Sequence, residues 1–189
     1  MLKATCHLHS ADESSLSFSR YISEPLKKNE THDEWEDRVW RDRCHYNSNG
    51  NVIIPRSMFR KALIGAACYL GEKIVGRGNK TYASKFIGGV RPMNSIVLPE
   101  TRATVQGDWF LMSASPSNPK SGKVMRFYPM IAEWKGKLDV MILDPDIPQD
   151  VFEHHLRAAG QFIGIGRWRP ANGGENGAFV VEKIEFAEV

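Results

Sequence analysis

The sequence predicts an α+β fold whose core runs βαββαβ, and three observations carry that reading. The chain opens on strict period-two alternation, holds two well-separated segments of helical period, and closes on a β-branched run after a glycine-rich loop. At 189 residues it has the length for one sizeable core, so a single domain over residues 1–189 is expected, with insertions at about 10–54 and 73–125. With 42% hydrophobic and 25% charged residues the chain reads as globular rather than disordered.

Residues 2–9, LKATCHLH, place Leu2, Ala4, Cys6 and Leu8 on one face and Lys3, Thr5, His7 and His9 on the other, as a strand with one buried side requires. The next twenty residues are polar and contain Pro25, which makes them a loop with a small apolar anchor at Phe18, Tyr21 and Ile22. Thr31 and Glu34 form a capping box before Trp35, Val39 and Trp40, so a short charged helix follows. Its Glu34/Arg38 and Asp37/Arg41 pairs stand one turn apart, and its charges read as a solvated face. After the NSNG turn, NVII is extended and Pro55 suits a helix start. Phe59, Leu63, Ala66, Ala67 and Leu70 then form an apolar stripe that ends at Gly71, while Arg56 and Arg60 share another face.

From Ser95 onward the pattern is mostly β. SIVLP, DWFLM, VMRFYPMIAEW and KLDVMILD are strands, the last two expected to form a hairpin at Lys135-Gly136, and SASPSNPKSGK is a loop expected to be mobile. A helix from Pro148 to about Ile163 turns Phe152, His155 or Leu156, Ala159 and Ile163 inward, and AFVVEKIEFAEV closes the chain as a strand. Without its insertions this order is ferredoxin-like, the plan also of the RRM, whose open sheet face is used for nucleic acid.

The three cysteines are odd in number and widely spread, which argues against a disulfide framework and for a reduced compartment. No apolar run reaches the roughly 20 residues of a membrane span and the N-terminus lacks a secretory h-region, so a cytoplasmic protein without membrane contact is expected. Net charge is +3, yet residues 55–91 hold eight basic groups against one acidic group, and each flank is −2. Arg56, Arg60, Lys61, Lys73, Arg77, Lys80, Lys85 and Arg91 therefore make an electrostatic footprint for a polyanion.

Residues 160–177, GQFIGIGRWRPANGGENG, combine six glycines with Arg167, Trp168 and Arg169. A helix precedes this loop and a strand follows it, the reverse of a dinucleotide-binding turn, and no Walker lysine follows the glycines. Free backbone N–H groups, two guanidinium groups and an indole in one loop suit phosphate and base instead. A flexible connection with Trp168 in the core and Arg167 salt-bridged is the structural alternative.

The run LRAAGQFIGIGRWRPANGGENGAFVVEKIEF resembles the glycine-rich signature near the C-terminus of RAMP-superfamily proteins, and VIIPRSMFRKALIGAA is similar to the proline-led arm and helix of Cas7-type members. The resemblance covers about 50 residues, and the chain is shorter and its glycine run more interrupted than in most Cas7 proteins. It implies a backbone subunit of a CRISPR ribonucleoprotein, or a phage-encoded relative, that lines up side by side along single-stranded RNA and meets other CRISPR-type subunits. Arg56, Ser57 and Arg60 would then touch phosphates, and Gly164, Gly166, Arg167 and Arg169 would border the RNA, with Trp168 beside them. Residues 73–91 or the loop around Lys120 would act as a thumb.

Three alternatives stand beside this reading. One is a metal-independent ribonuclease of the RAMP type using His7, His9 or His45, since histidine titrates near neutrality. Another is a phage protein coating single-stranded DNA, and the third is an inhibitor mimicking a Cas7 surface. No zinc spacing exists, no cofactor is implied, and Asp33, Glu34, Glu36 and Asp37 are spread around their helix rather than gathered for a metal. Trp109, Phe110, Phe127, Tyr128 and Trp134 lie on strands where large side chains fill a core, and only those on an open sheet face would meet bases.

Overall fold

The computed structural model describes residues 1–114, 118 and 120–189. In chain order it contains β1 (Leu2–Ser10), β2 (Leu16–Ser17), α1 (His32–Val39), β3 (Asn51–Ile54), α2 (Arg56–Leu70), α3 (Ala83–Gly89) and β4 (Val90–Pro92). Then come β5 (Ile96–Thr101), β6 (Gln106–Ser113), β7 (Lys123–Ile131), β8 (Lys135–Ile142), α4 (Gln149–Ala158) and β9 (Phe179–Glu188). A single π-helical turn, Ala159–Ile163, extends α4 into the glycine-rich loop.

The main sheet is antiparallel with the order β4-β8-β1-β9, and α2 and α4 are its two crossover connections. That is the ferredoxin-like core expected from the element order. The alternation of β1 sets its register: Ala4 and Cys6 face Val140 and Leu138 on one side, Phe186 and Ile184 on the other, and point toward the helices. Phe59 of α2 meets Trp134 and Phe179 at centroid distances of 6.2 and 5.8 Å, tying the helix to the sheet. Burial pushes the Cys6 and Cys44 thiols up to about 12, so both behave as apolar core groups. The capping box of Thr31 and Glu34 forms, and Gly71 closes α2 at φ +57. The second core strand, β4, is only three residues long and falls within the 73–125 stretch.

Several local expectations are corrected. β7 and β8 do not form a hairpin at Lys135-Gly136: β7 pairs with β6 and β2 in a separate three-stranded sheet, whereas β8 pairs with β1 and β4. The cause is Trp134, which is buried against Phe59 and Phe179 and whose backbone N–H donates to Ser10 Oγ, drawing the chain from one sheet into the other. In the anchor of the first loop only Phe18 is buried, while Tyr21 is 86% exposed. The loop expected to be mobile lies between β6 and β7, and its residues 115–117 and 119 fall outside the described residues.

The charges of α1 also pair differently. Arg38 bonds Glu24 and Glu30, which precede the helix, and Glu34 is engaged by Thr31. Glu36, expected on a solvated face, is buried. Arg43 Nη1 and Nη2 donate to its two carboxylate oxygens at 2.8 and 2.9 Å, and the Phe127 N–H donates to it at 3.3 Å. Charge-assisted bonds replace the water the pair loses and fasten α1 to β7.

Candidate nucleic-acid interface

The glycine-rich loop is a folded object rather than a slack connection. Ile165 N–H donates to Gly177 O, Arg167 N–H to Ser17 O, Asn176 N–H to Trp168 O and Gly177 N–H to Ser15 O. These bonds leave the loop with fewer free N–H groups for an anion than its glycine content suggests. At Gly166, φ is +77 and a Cβ would stand 2.4 Å from Ser17 O, so the close approach of loop to β2 requires glycine there. Arg167 turns inward: its Cζ sits 3.7 Å from the Tyr128 ring centroid and 4.9 Å from that of Phe110, and Nη2 reaches Met112 Sδ at 3.2 Å. Burial lowers its affinity for the proton, and the aromatic faces compensate in part. Trp168, at φ +59, is half exposed with its edge toward Phe110.

Arg169 faces another way. It lines a pocket of about 160 Å³ together with Gly166 and Ile165 from the loop and Lys61 and Met58 from α2. Ser19, Arg20 and His45 complete the lining from the opposite side. Three cations thus converge from three parts of the chain, and no carboxylate is among the lining residues. Among the described residues, the side chains of Arg20, Lys61 and Arg169 make no ion pair, and the Nε of Arg169 is buried without a partner. Concentrated, unneutralised positive charge in a recess of this size suits a phosphate group. Burial, with Arg20 adding to it, lowers the pKa of His45, which is therefore neutral at pH 7.

Two larger clefts have the wrong charge for a polyanion. One of about 920 Å³ carries Asp12, Glu13 and Glu133 beside His9 and Lys135, and one of about 600 Å³ carries Asp144 and Glu188.

Of the remaining sequence-predicted residues, Arg56, Ser57 and Arg60 are exposed on the first turns of α2. Arg56 Nη1 donates to Met93 O and Arg60 Nη2 to Ile87 O, so both guanidinium groups are oriented but keep their charge. Lys85 is paired with Asp144 and Asp146 at 3.0 and 2.9 Å, and Arg77 with Asp146 at 3.2 Å. Lys80 and Arg91 are exposed and lie outside the pocket, and Gly164 is buried under Pro170 and Gly177. Tyr82 and Phe86, the aromatics of the 73–91 stretch, are buried, and Phe86 stacks on His155 at 4.5 Å. His7 and His9 point to the outer face of the main sheet, away from the helices, so they do not join His45. That outer face carries Lys3, Thr5, Lys137, Asp139, Lys183 and Glu185, several in ion pairs, and none of the five strand aromatics lies on it. Trp109, Phe110, Phe127 and Tyr128 belong to the β6–β7 hairpin instead.

Arg20 was not legible as a site residue. Its signal was faint: it stands two residues after the buried Phe18, and its backbone N–H donates to Arg43 O at 3.0 Å, a partner far along the chain. Among the described residues no group of three or more His, Cys, Asp and Glu is placed to hold a metal, and no helix is long and apolar enough to cross a membrane.

The architecture recurs among solved structures. A chain of the Type III-B Cmr-beta bound to cognate target RNA shares it at a TM-score of 0.60 and 10% identity. That likeness covers 98% of this chain and 60% of the other, so the chain spans about three fifths of that protein's length. Cmr6 from Pyrococcus furiosus gives a TM-score of 0.49 at 12% identity over 96% of this chain and 99% of that one. A chain of a CRISPR RNA-guided surveillance complex gives 0.40 at 11% identity over 96% and 68%. Only the first is close enough to establish a shared fold. The chain therefore shares its fold with that Cmr-beta chain. No protein-family model matches the sequence, and no curated protein matches it.

Proposed function

We propose that the protein is a single RAMP-like domain that binds single-stranded RNA through its phosphates and assembles side by side along the strand as a backbone subunit of a ribonucleoprotein. The observation that carries this reading is the pocket in which Arg20, Lys61 and Arg169 converge without a carboxylate, between α2 and the glycine-rich loop. The shared fold supports it, since the Cmr-beta chain was captured with cognate target RNA. Arg56, Ser57 and Arg60 extend the positive track along α2, and partners of CRISPR type would meet the same assembly. Arg77 and Lys85, already neutralised by Asp144 and Asp146, contribute little. Titrating the protein with single-stranded RNA and DNA oligonucleotides of one sequence tests this, because a preference for RNA requires a contact to the 2′-OH. Tighter RNA binding, with nucleic-acid absorbance in a large species on size exclusion, is the expected result. Equal affinity for DNA favours a phage-type single-strand coat, and no affinity for either favours a Cas7-mimicking inhibitor.

A second reading rests on His45. A neutral imidazole beside a phosphate-binding pocket can accept a proton from a ribose hydroxyl while the cations stabilise the charge that develops on the phosphate. Labelled RNA cleaved in EDTA by the native chain, and left intact by His45→Ala, would establish a ribonuclease.

A further inference from the structure

The segment 162–166 runs beside α2 in the opposite sense, and three contacts trace the seam. Phe162 stacks on Tyr69 with centroids 5.2 Å apart and planes 29° from parallel. Ile163 lies against Gly65, where a Cβ would stand 3.0 Å from its Cγ2. Ile165 and Gly166 face Met58 and Lys61 across the cation pocket. One end of the seam is therefore the pocket and the other is an aromatic pair. Lys61 and Tyr69 are eight residues apart on one helix, about 12 Å along its axis.

That aromatic pair has no role in the core. Tyr69 is 63% exposed and Phe162 39%, while the buried stripe of α2 is made by Phe59, Ala62, Leu63, Ala66 and Ala67. Among the described residues the Tyr69 hydroxyl has no hydrogen-bond partner. Two rings stacked on each other and still open to solvent offer an exposed ring face as an apolar plate, on which a base extends the stack through its π-face. A polyanion anchored by a phosphate among Arg20, Lys61 and Arg169 passes over the plate if it follows the seam. Continuity with the pocket thus favours a nucleobase as the occupant.

We propose that Tyr69 and Phe162 form a base-stacking platform for the same single strand whose phosphate the pocket holds. The platform rests on the nucleic-acid reading of that pocket, but the two contribute differently: the pocket gives salt dependence without regard to bases, and the platform gives affinity that needs a base and little salt dependence.

The test uses the full chain and short single-stranded RNA, intact or with abasic sites throughout, read by anisotropy at several salt concentrations. Tyr69→Ala with Phe162→Ala is expected to weaken binding of the intact strand about ten-fold. It should leave the salt slope and the abasic strand's affinity unchanged, and Tyr69→Phe should bind like the native chain. Native affinity for the intact strand in the double variant overturns the platform. So does a loss of self-association at unchanged RNA affinity, which would assign the pair to a protein contact. Should the double variant fail to fold, a fluorescent base analogue bound to the native protein decides, and unquenched emission at every position along the strand overturns the platform. Failure of the pocket itself would be separate, as an unchanged salt slope in Lys61→Ala with Arg169→Ala.

Discussion

Arg167 sits over the ring of Tyr128, its Cζ 3.7 Å from the ring centroid, and thereby joins the glycine-rich loop to strand β7. Tyr128 is also approached by Arg43, whose Cζ is 4.8 Å from the centroid. A line of contacts therefore runs from Glu36 on α1 through Arg43 and Tyr128 to the loop. It holds the loop so that the next arginine, Arg169, reaches the pocket.

The two loop arginines should separate in experiment. Arg167→Ala removes a half-buried cation–π contact and is expected to cost about 1–2 kcal/mol, lowering Tm by several degrees for a chain of this size. Arg169→Ala should leave Tm unchanged and weaken RNA binding. Thermal melts of the two variants check this, and equal Tm values would remove Arg167 from its structural role.

Glu36 and Arg43 form a pair that tolerates the loss of neither partner. Glu36→Ala leaves the Arg43 guanidinium buried and unpaired and is expected to destabilise the fold by about 3–5 kcal/mol, measurable by urea denaturation. Replacing both residues together by apolar side chains should cost much less than the sum of the single changes. Additive costs would mean that the bidentate bonds of this pair contribute nothing to each other.

Acid should loosen the fold well above the range where carboxylates titrate. His155 is fully buried against Phe86, and its Nδ1–H donates to Val151 O at 2.7 Å, which leaves Nε2 without a partner. Glu72, just past the end of α2, stands 3.8 Å away and Tyr82 and His154 complete its titratable surroundings, but burial dominates and lowers its pKa, as it does for His45. Both groups bind protons more readily when the chain is unfolded. Stability is therefore lost as pH falls through about 6.5, by up to about 1.4 kcal/mol per pH unit for each histidine. The lowered carboxylates Asp139 and Asp146, held by Lys3 and Lys85, give up their contribution only below their unfolded values, near 4. Urea midpoints between about pH 5 and 7 should rise with pH, less steeply in His155→Gln, and a flat profile would contradict the assignment.

Local signals in the sequence foretold local structure. The alternation of β1, the capping box at Thr31, the stripe of α2 and the inward face of α4 each depend on residues a few positions apart, and each formed as expected. What the sequence hid depends on partners far along the chain. Lys135-Gly136 has turn chemistry, but the pairing of β8 with β1 was decided by Leu138, Val140 and Trp134 entering a common core. Glu36 looked like one more solvated charge until Arg43 and β7 closed over it. Two of the eight residues of the basic footprint faded in the same way: Arg77 and Lys85 meet aspartates about sixty residues later, while Lys61 found Arg20 and Arg169. Of the loop residues that the sequence singles out, Arg169 and Gly166 line the pocket, whereas Arg167 packs inside.

The central claim is that Arg20, Lys61 and Arg169 hold a phosphate of a single strand. Its most direct test is the affinity for a single-stranded RNA oligonucleotide across a series of salt concentrations, for the native chain and for Lys61→Ala with Arg169→Ala. The native chain should show log affinity falling linearly with log salt, and the double variant should bind about ten-fold or more weakly with a slope shallower by about one. A double variant that keeps its fold, its affinity and its slope would place the RNA elsewhere, and salt-insensitive binding by the native chain would remove the phosphate contact altogether.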